Sequence, residues 1–205
     1  MKKEKIPIRI PAYIPNTSLT RYARRALVDP RRYTLDLICN ILGEGISRRQ
    51  FARKREHLGL AYDVQCFTEH LSDPGVLIVY AGLETEKQET ALEAILEERE
   101  KIKKQPISEE KLDKAREMSE GRLLLSMEDT HVVADSLGSE EIITGIITSV
   151  AQVIRILNRL TPADIQQTAN EIIKQEKLCL AVVGPDRKTA RLKQLVLGPK
   201  TAPQR

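Results

Sequence analysis

Arg55 and Tyr62 stand seven residues apart in the run REHLGLAYDV (55–64), with Gly59 between them. A guanidinium and a phenol are both hydrogen-bond donors, so the pair raises the question of chemistry. On the residues alone it reads as structure: Arg55 is a cation in the last turn of a helix, favoured by the helix dipole, and Tyr62 is an aromatic residue of the strand that follows. The other reactive types are sparse. His57, His70 and His131 are the only histidines, and no two are four residues apart, so no helical face carries the two imidazoles that a zinc peptidase motif requires. Cys39, Cys66 and Cys179 are odd in number and far apart in sequence, which argues for reduced thiols rather than a disulfide framework or a zinc knuckle. Ser47 lies three residues before Gln50 and reads as a helix cap, not a nucleophile. Gly43 and Gly45 follow a helical run with no strand before it, so they mark a helix stop between packed helices rather than a phosphate loop.

The elements that position these residues follow from caps and periodicity. Asp29-Pro30 opens a helix that carries Leu35, Ile38, Cys39 and Leu42 at helical spacing. A second short helix from Ser47 ends at Gly59. Residues 60–70 alternate in polarity, with Leu60, Tyr62, Val64 and Cys66 on one face, as in a half-buried strand. A Ser-Asp-Pro-Gly turn leads into the apolar run 76–81, giving a hairpin. A helix from a capping box at Thr85 and Gln88 runs to about Lys104, and another starts at Ser108 beyond Pro106. Helices are expected over about 128–143 and 150–160. One over 162–174 is capped by Thr161, and LCLAVV (178–183) reads as a last buried strand. The layout is α+β: a small, mainly antiparallel sheet with helices packed on one face.

Composition narrows the function. The 205 residues suffice for one substantial core, and 3% aromatics with no Trp leave aliphatic residues to fill it. The net charge is +4, but the whole excess lies before residue 33, where nine Lys and Arg face only Glu4 and Asp29. The remainder is slightly acidic, a poor footprint for nucleic acid. The uncharged stretch from Ile142 to Ile154 is too short to span a membrane. The N-terminus also lacks the apolar centre of a secretory signal. We therefore expect no nucleic-acid or membrane partner and a cytoplasmic protein. By composition the chain divides into a basic, Pro-rich arm at 1–28 with Pro7, Pro11 and Pro15, an α+β domain at 29–186, and a basic, mobile tail at 187–205.

The blocks ILGEGISRRQFARKREHLGLAYDV, SDPGVLIVYAGLETEKQETALEAILEE, ISEEKLDKAREMSEGRLLLSMEDT and LCLAVVGP occur in an order and spacing that resembles the pitrilysin/insulinase family of zinc metallopeptidases, which includes the mitochondrial processing peptidases. The likeness runs from about Asp29 to Pro185 and is to the second, non-catalytic half of such an enzyme. It implies two homologous α+β halves closing like a clamshell, with the His-x-x-Glu-His zinc site in the other half. No catalytic residue and no metal or cofactor site is then expected in this chain, zinc being held by a partner catalytic half in cis or trans. The resemblance also implies that Arg55 and Tyr62 bind the peptide substrate near the scissile bond and polarise its carbonyl, because both can donate to an oxygen gaining negative charge in the transition state. A homo- or hetero-oligomer is expected, since a half-clamshell on its own exposes apolar surface. The family usually has a strand before the segment matching DPRRY. Here either IPIRIPAYI (6–14) supplies it, or it is missing and a sheet edge stays open. A non-proteolytic binding or assembly module built on the same fold is the alternative function.

Overall fold

The computed structural model describes residues 6–13, 29, 31–46, 61–70, 75–83, 85–182 and 189–197. Four strands, β1 (Ile6–Tyr13), β2 (Ala61–His70), β3 (Gly75–Leu83) and β4 (Ala181–Val182), form one antiparallel sheet in the order β2-β3-β1-β4. Among the described residues seven α-helices accompany it: α1 (Arg31–Glu44), α2 (Gln88–Lys104), α3 (Glu109–Ser126), α4 (Thr130–Thr144), α5 (Val150–Arg159), α6 (Pro162–Ile172) and α7 (Thr189–Leu197). This is the α+β class expected from the sequence.

The core follows strand parity and helical period. Leu77, Val79, Ala81 and Leu83 of β3 project from one face into a cluster with Leu37, Ile38 and Leu42 of α1 and with Leu92 and Ile95 of α2. Leu112 of α3, Ile165 and Ala169 of α6 and Leu192 of α7 complete it. Helix α1 is the hub, lying on β2 and against α3 and α6. It does not stop at Gly43 but runs through it to Glu44. A Cβ at Gly43 would lie 3.4 Å from the Cβ of Cys66, so this turn of the helix packs directly on β2.

Two stretches set apart by composition carry regular structure. Residues 6–13 of the arm supply the strand before α1, paired along its length with β3 from Ile6↔Leu83 to Tyr13↔Val76. Pro7 and Pro11 share parity, so their missing amide donors fall along one side of β1, and β4 pairs with β1 only at Ile8 and Arg9. In the tail, expected to be mobile, Thr189–Leu197 is a helix packed on α2 with Leu192 only 4% exposed. The expected buried last strand is a further correction: among the described residues only Ala181 and Val182 pair, and both are exposed, because β4 is a short strand at the sheet edge. The short helix expected from Ser47 to Gly59 lies outside the described residues.

Polar groups close the helix ends. At α1, Asp29 Oδ1 accepts from the Arg31 amide at 2.9 Å, and the Arg31 guanidinium pairs with the same carboxylate. Thr161 with Asp164 and Ser149 with Gln152 form capping boxes on α6 and α5. The Arg116 guanidinium donates to the carbonyls of Leu157 and Leu160 at the end of α5, where a cation favours the dipole. Gly145 ends α4 in the left-handed conformation, φ 65°.

Burial resists ionisation of Asp29, but its bonds from Arg31 outweigh that and hold its carboxyl below the usual range. Bonds from the Thr161 hydroxyl and amide do the same for Asp164. A lowered folded pKa stabilises above the unfolded value, and that contribution is lost as pH falls through the folded value. Asp29→Ala should therefore lower unfolding stability by about 1 kcal/mol at pH 7. The difference from wild type should shrink as pH drops below about 4. Urea unfolding at pH 7 and at pH 3 checks both.

Candidate functional site

Arg55 lies outside the described residues. Tyr62 lies in β2, with its side chain outside the description. The backbone there is informative. Ala61 pairs with Leu83 and Asp63 with the next residue, Gly82, so β2 carries an extra residue at Tyr62, a β-bulge. Bulges bend a strand and re-aim side chains. The sequence parity that grouped Tyr62 with Val64 and Cys66 assumes an unbroken pleat, and the break falls at this residue.

At the far end of β2 the structure brings together residues that sequence reasoning left separate. Asp36 of α1 accepts from Thr68 Oγ1 at 2.5 Å and lies 2.9 Å from His70 Nε2. Arg32, one turn earlier, pairs with Glu140 of α4 at 3.0 Å, donates to the Tyr33 hydroxyl at 2.5 Å and sits 4.6 Å over that ring. Burial works against the Arg32 charge, but the bonds to Tyr33 and Glu140 prevail and raise its pKa. Glu140 also accepts from the Thr148 amide at 2.8 Å. Arg32, Tyr33, Asp36, His70 and Glu140 rim a groove of about 520 Å³ between α1, α3, α4 and α5, whose walls include Leu123, Leu137, Ile147 and Val153.

The ring nitrogen of His70 faces a carboxylate, not a second imidazole. Among the described residues no three His, Cys, Asp or Glu side chains could hold a metal ion. The described residues therefore do not fit a zinc ion, and no step is routed through a metal among them. Likewise, among the described residues no helix is long and apolar enough to cross a membrane. Sequence reasoning missed Asp36, Arg32, Glu140 and the groove. Their partners are 34 and 108 residues away, and no local spacing signals such contacts.

Residues 14–119, about half of the chain, match the family described as Peptidase M16 inactive domain. An uncharacterized zinc protease of Streptomyces coelicolor is 28% identical over 173 residues, covering 83% of this chain and 38% of that protein. One of Rickettsia bellii is 30% identical over 156 residues, covering 76% of this chain and 37% of its own length. The chain therefore spans less than two fifths of either relative. Among solved structures, the inactive peptidase domain assigned to a zinc protease of Bordetella parapertussis superposes with a TM-score of 0.71 at 21% identity, over 91% of this chain and 96% of that one. That likeness concerns the fold alone. On the family match, the chain belongs to the peptidase M16 inactive-domain family, the non-catalytic half of pitrilysin/insulinase-type zinc metallopeptidases.

Proposed function

We propose that this chain is the substrate-clamping half of a zinc endopeptidase, holding an extended peptide against a catalytic half that supplies the zinc and the general base. The observation that carries the reading is a match to an inactive peptidase domain in a chain whose three histidines cannot form the His-x-x-Glu-His motif. Arg55 and Tyr62 are the proposed contacts to the scissile carbonyl, where each would donate to the developing oxyanion. The bulge in β2 at Tyr62 supports a role for that residue beyond packing. The catalytic half lies either elsewhere in a longer polypeptide, as the length of the relatives suggests, or in a separate subunit.

The surface supports a partner. No residue of α4 is buried, and Leu125 of α3 and Ile142 of α4 are 67% and 86% exposed. Monomers rarely leave apolar clusters of this kind bare. Sedimentation tests the pairing, using this chain mixed with the His-x-x-Glu-His half encoded in the same or the neighbouring reading frame. A one-to-one complex at micromolar concentration is expected, and two non-interacting compact monomers would overturn the proposal.

A further inference from the structure

Cys39 and Cys66 are 27 residues apart in sequence, on α1 and β2, yet their Sγ atoms lie 2.7 Å apart. Cys39 is 4% exposed and Cys66 partly exposed, while Cys179 is exposed and lies elsewhere in the fold. Gly43 of α1 lies against the same strand residue, where an added Cβ would stand 3.4 Å from the Cys66 Cβ. The two thiols are thus held together by helix-on-sheet packing.

We propose that Cys39 and Cys66 form a modification site that closes to an intrachain disulfide by exchange with a small-molecule disulfide such as oxidised glutathione. The step balances without another reagent. The more accessible Cys66, as its thiolate, attacks one glutathione sulfur. The glutathione disulfide breaks, and the first glutathione leaves as a thiolate that takes up the proton Cys66 gave to solvent. Cys39 then loses its proton and attacks Cys66 Sγ, and the second glutathione departs and is protonated. The protein dithiol is oxidised by two electrons and one glutathione disulfide is reduced to two thiols. The bond to Cys66 and burial push the Cys39 thiol up in pKa, so it is a poor first nucleophile but is well placed as the resolving one. The enclosed segment includes Arg55 and Tyr62, so the cross-link would fix both ends of the stretch that carries them. That consequence rests on the proposed function, whereas the cross-link itself does not.

The test is a titration of the reduced, purified chain with oxidised glutathione, acid quench, alkylation and peptide mass spectrometry. Joined Cys39 and Cys66 peptides, lacking two hydrogens and restored by dithiothreitol, are expected while Cys179 carries glutathione. This cross-link should exceed any pair with Cys179 by roughly tenfold in the native chain, from effective concentration, and lose that excess in urea. In Cys39→Ala, Cys66 should accumulate as the glutathione adduct. A Cys66 glutathione adduct that persists in the wild-type chain, with no joined Cys39 and Cys66 peptides, would overturn the proposal. So would alkylation of both Cys39 and Cys66 throughout the titration. Both outcomes are read in the wild-type chain, so the decision does not depend on the variant folding.

Discussion

Arg55→Ala and Tyr62→Phe are each expected to lower the turnover of the reconstituted two-half enzyme by roughly 10² to 10³, the size of losing one donor to a developing oxyanion. The physical reason is that an interaction made mainly in the transition state raises turnover, so its loss appears in kcat more than in KM. Thermal stability should change little in Tyr62→Phe, because the ring is retained and only the hydroxyl goes. If Tyr62 served packing alone, Tyr62→Phe would keep full activity, and Tyr62→Ala would lose about 3–5 kcal/mol of stability. Steady-state kinetics and thermal unfolding on the same variants separate the two roles. Retained activity in both Arg55→Ala and Tyr62→Phe would return the pair to a structural role.

The second large effect concerns the hub of the core. Leu37 of α1 is fully buried among helices and sheet, so Leu37→Ala should destabilise by about 2–5 kcal/mol, through lost transfer energy plus an unfilled cavity. Leu125, 67% exposed on α3, provides the contrast: Leu125→Ala should stay within about 0.5 kcal/mol of wild type. Urea unfolding of the two variants measures the difference. Equal midpoints would mean that α1 is not where the fold is held together.

What was legible in the sequence was local. Thr161 and Pro162 announce α6, and the structure shows it burying Ile165, Ala169 and Ile172. The apolar run of β3 and the polarity change at Gly59 likewise point to the hairpin partner β2, observed from Ala61. What was hidden depended on distant partners. Pro7 and Pro11 argue against a strand until β3 is seen to pair along all of β1 while, among the described residues, β4 meets it at Ile8 and Arg9. Gly43 looks like a helix stop until Cys66 is placed against it. The Asp36–His70 and Cys39–Cys66 pairs join α1 to β2 across 34 and 27 residues, so no motif could announce them. Arg55 and Tyr62 stood out by type and spacing, but their role came only from family resemblance, and it remains part of the proposed function.

Peptide cleavage with zinc present, measured for this chain alone, the catalytic half alone and the two together, tests the central claim most directly. The predicted result is no hydrolysis and no tightly held zinc in this chain alone, with the mixture faster than the catalytic half alone by at least roughly 10², the worth of one oxyanion donor. Hydrolysis by this chain alone, one zinc retained per chain after dialysis, or a mixture no faster than the catalytic half would contradict it.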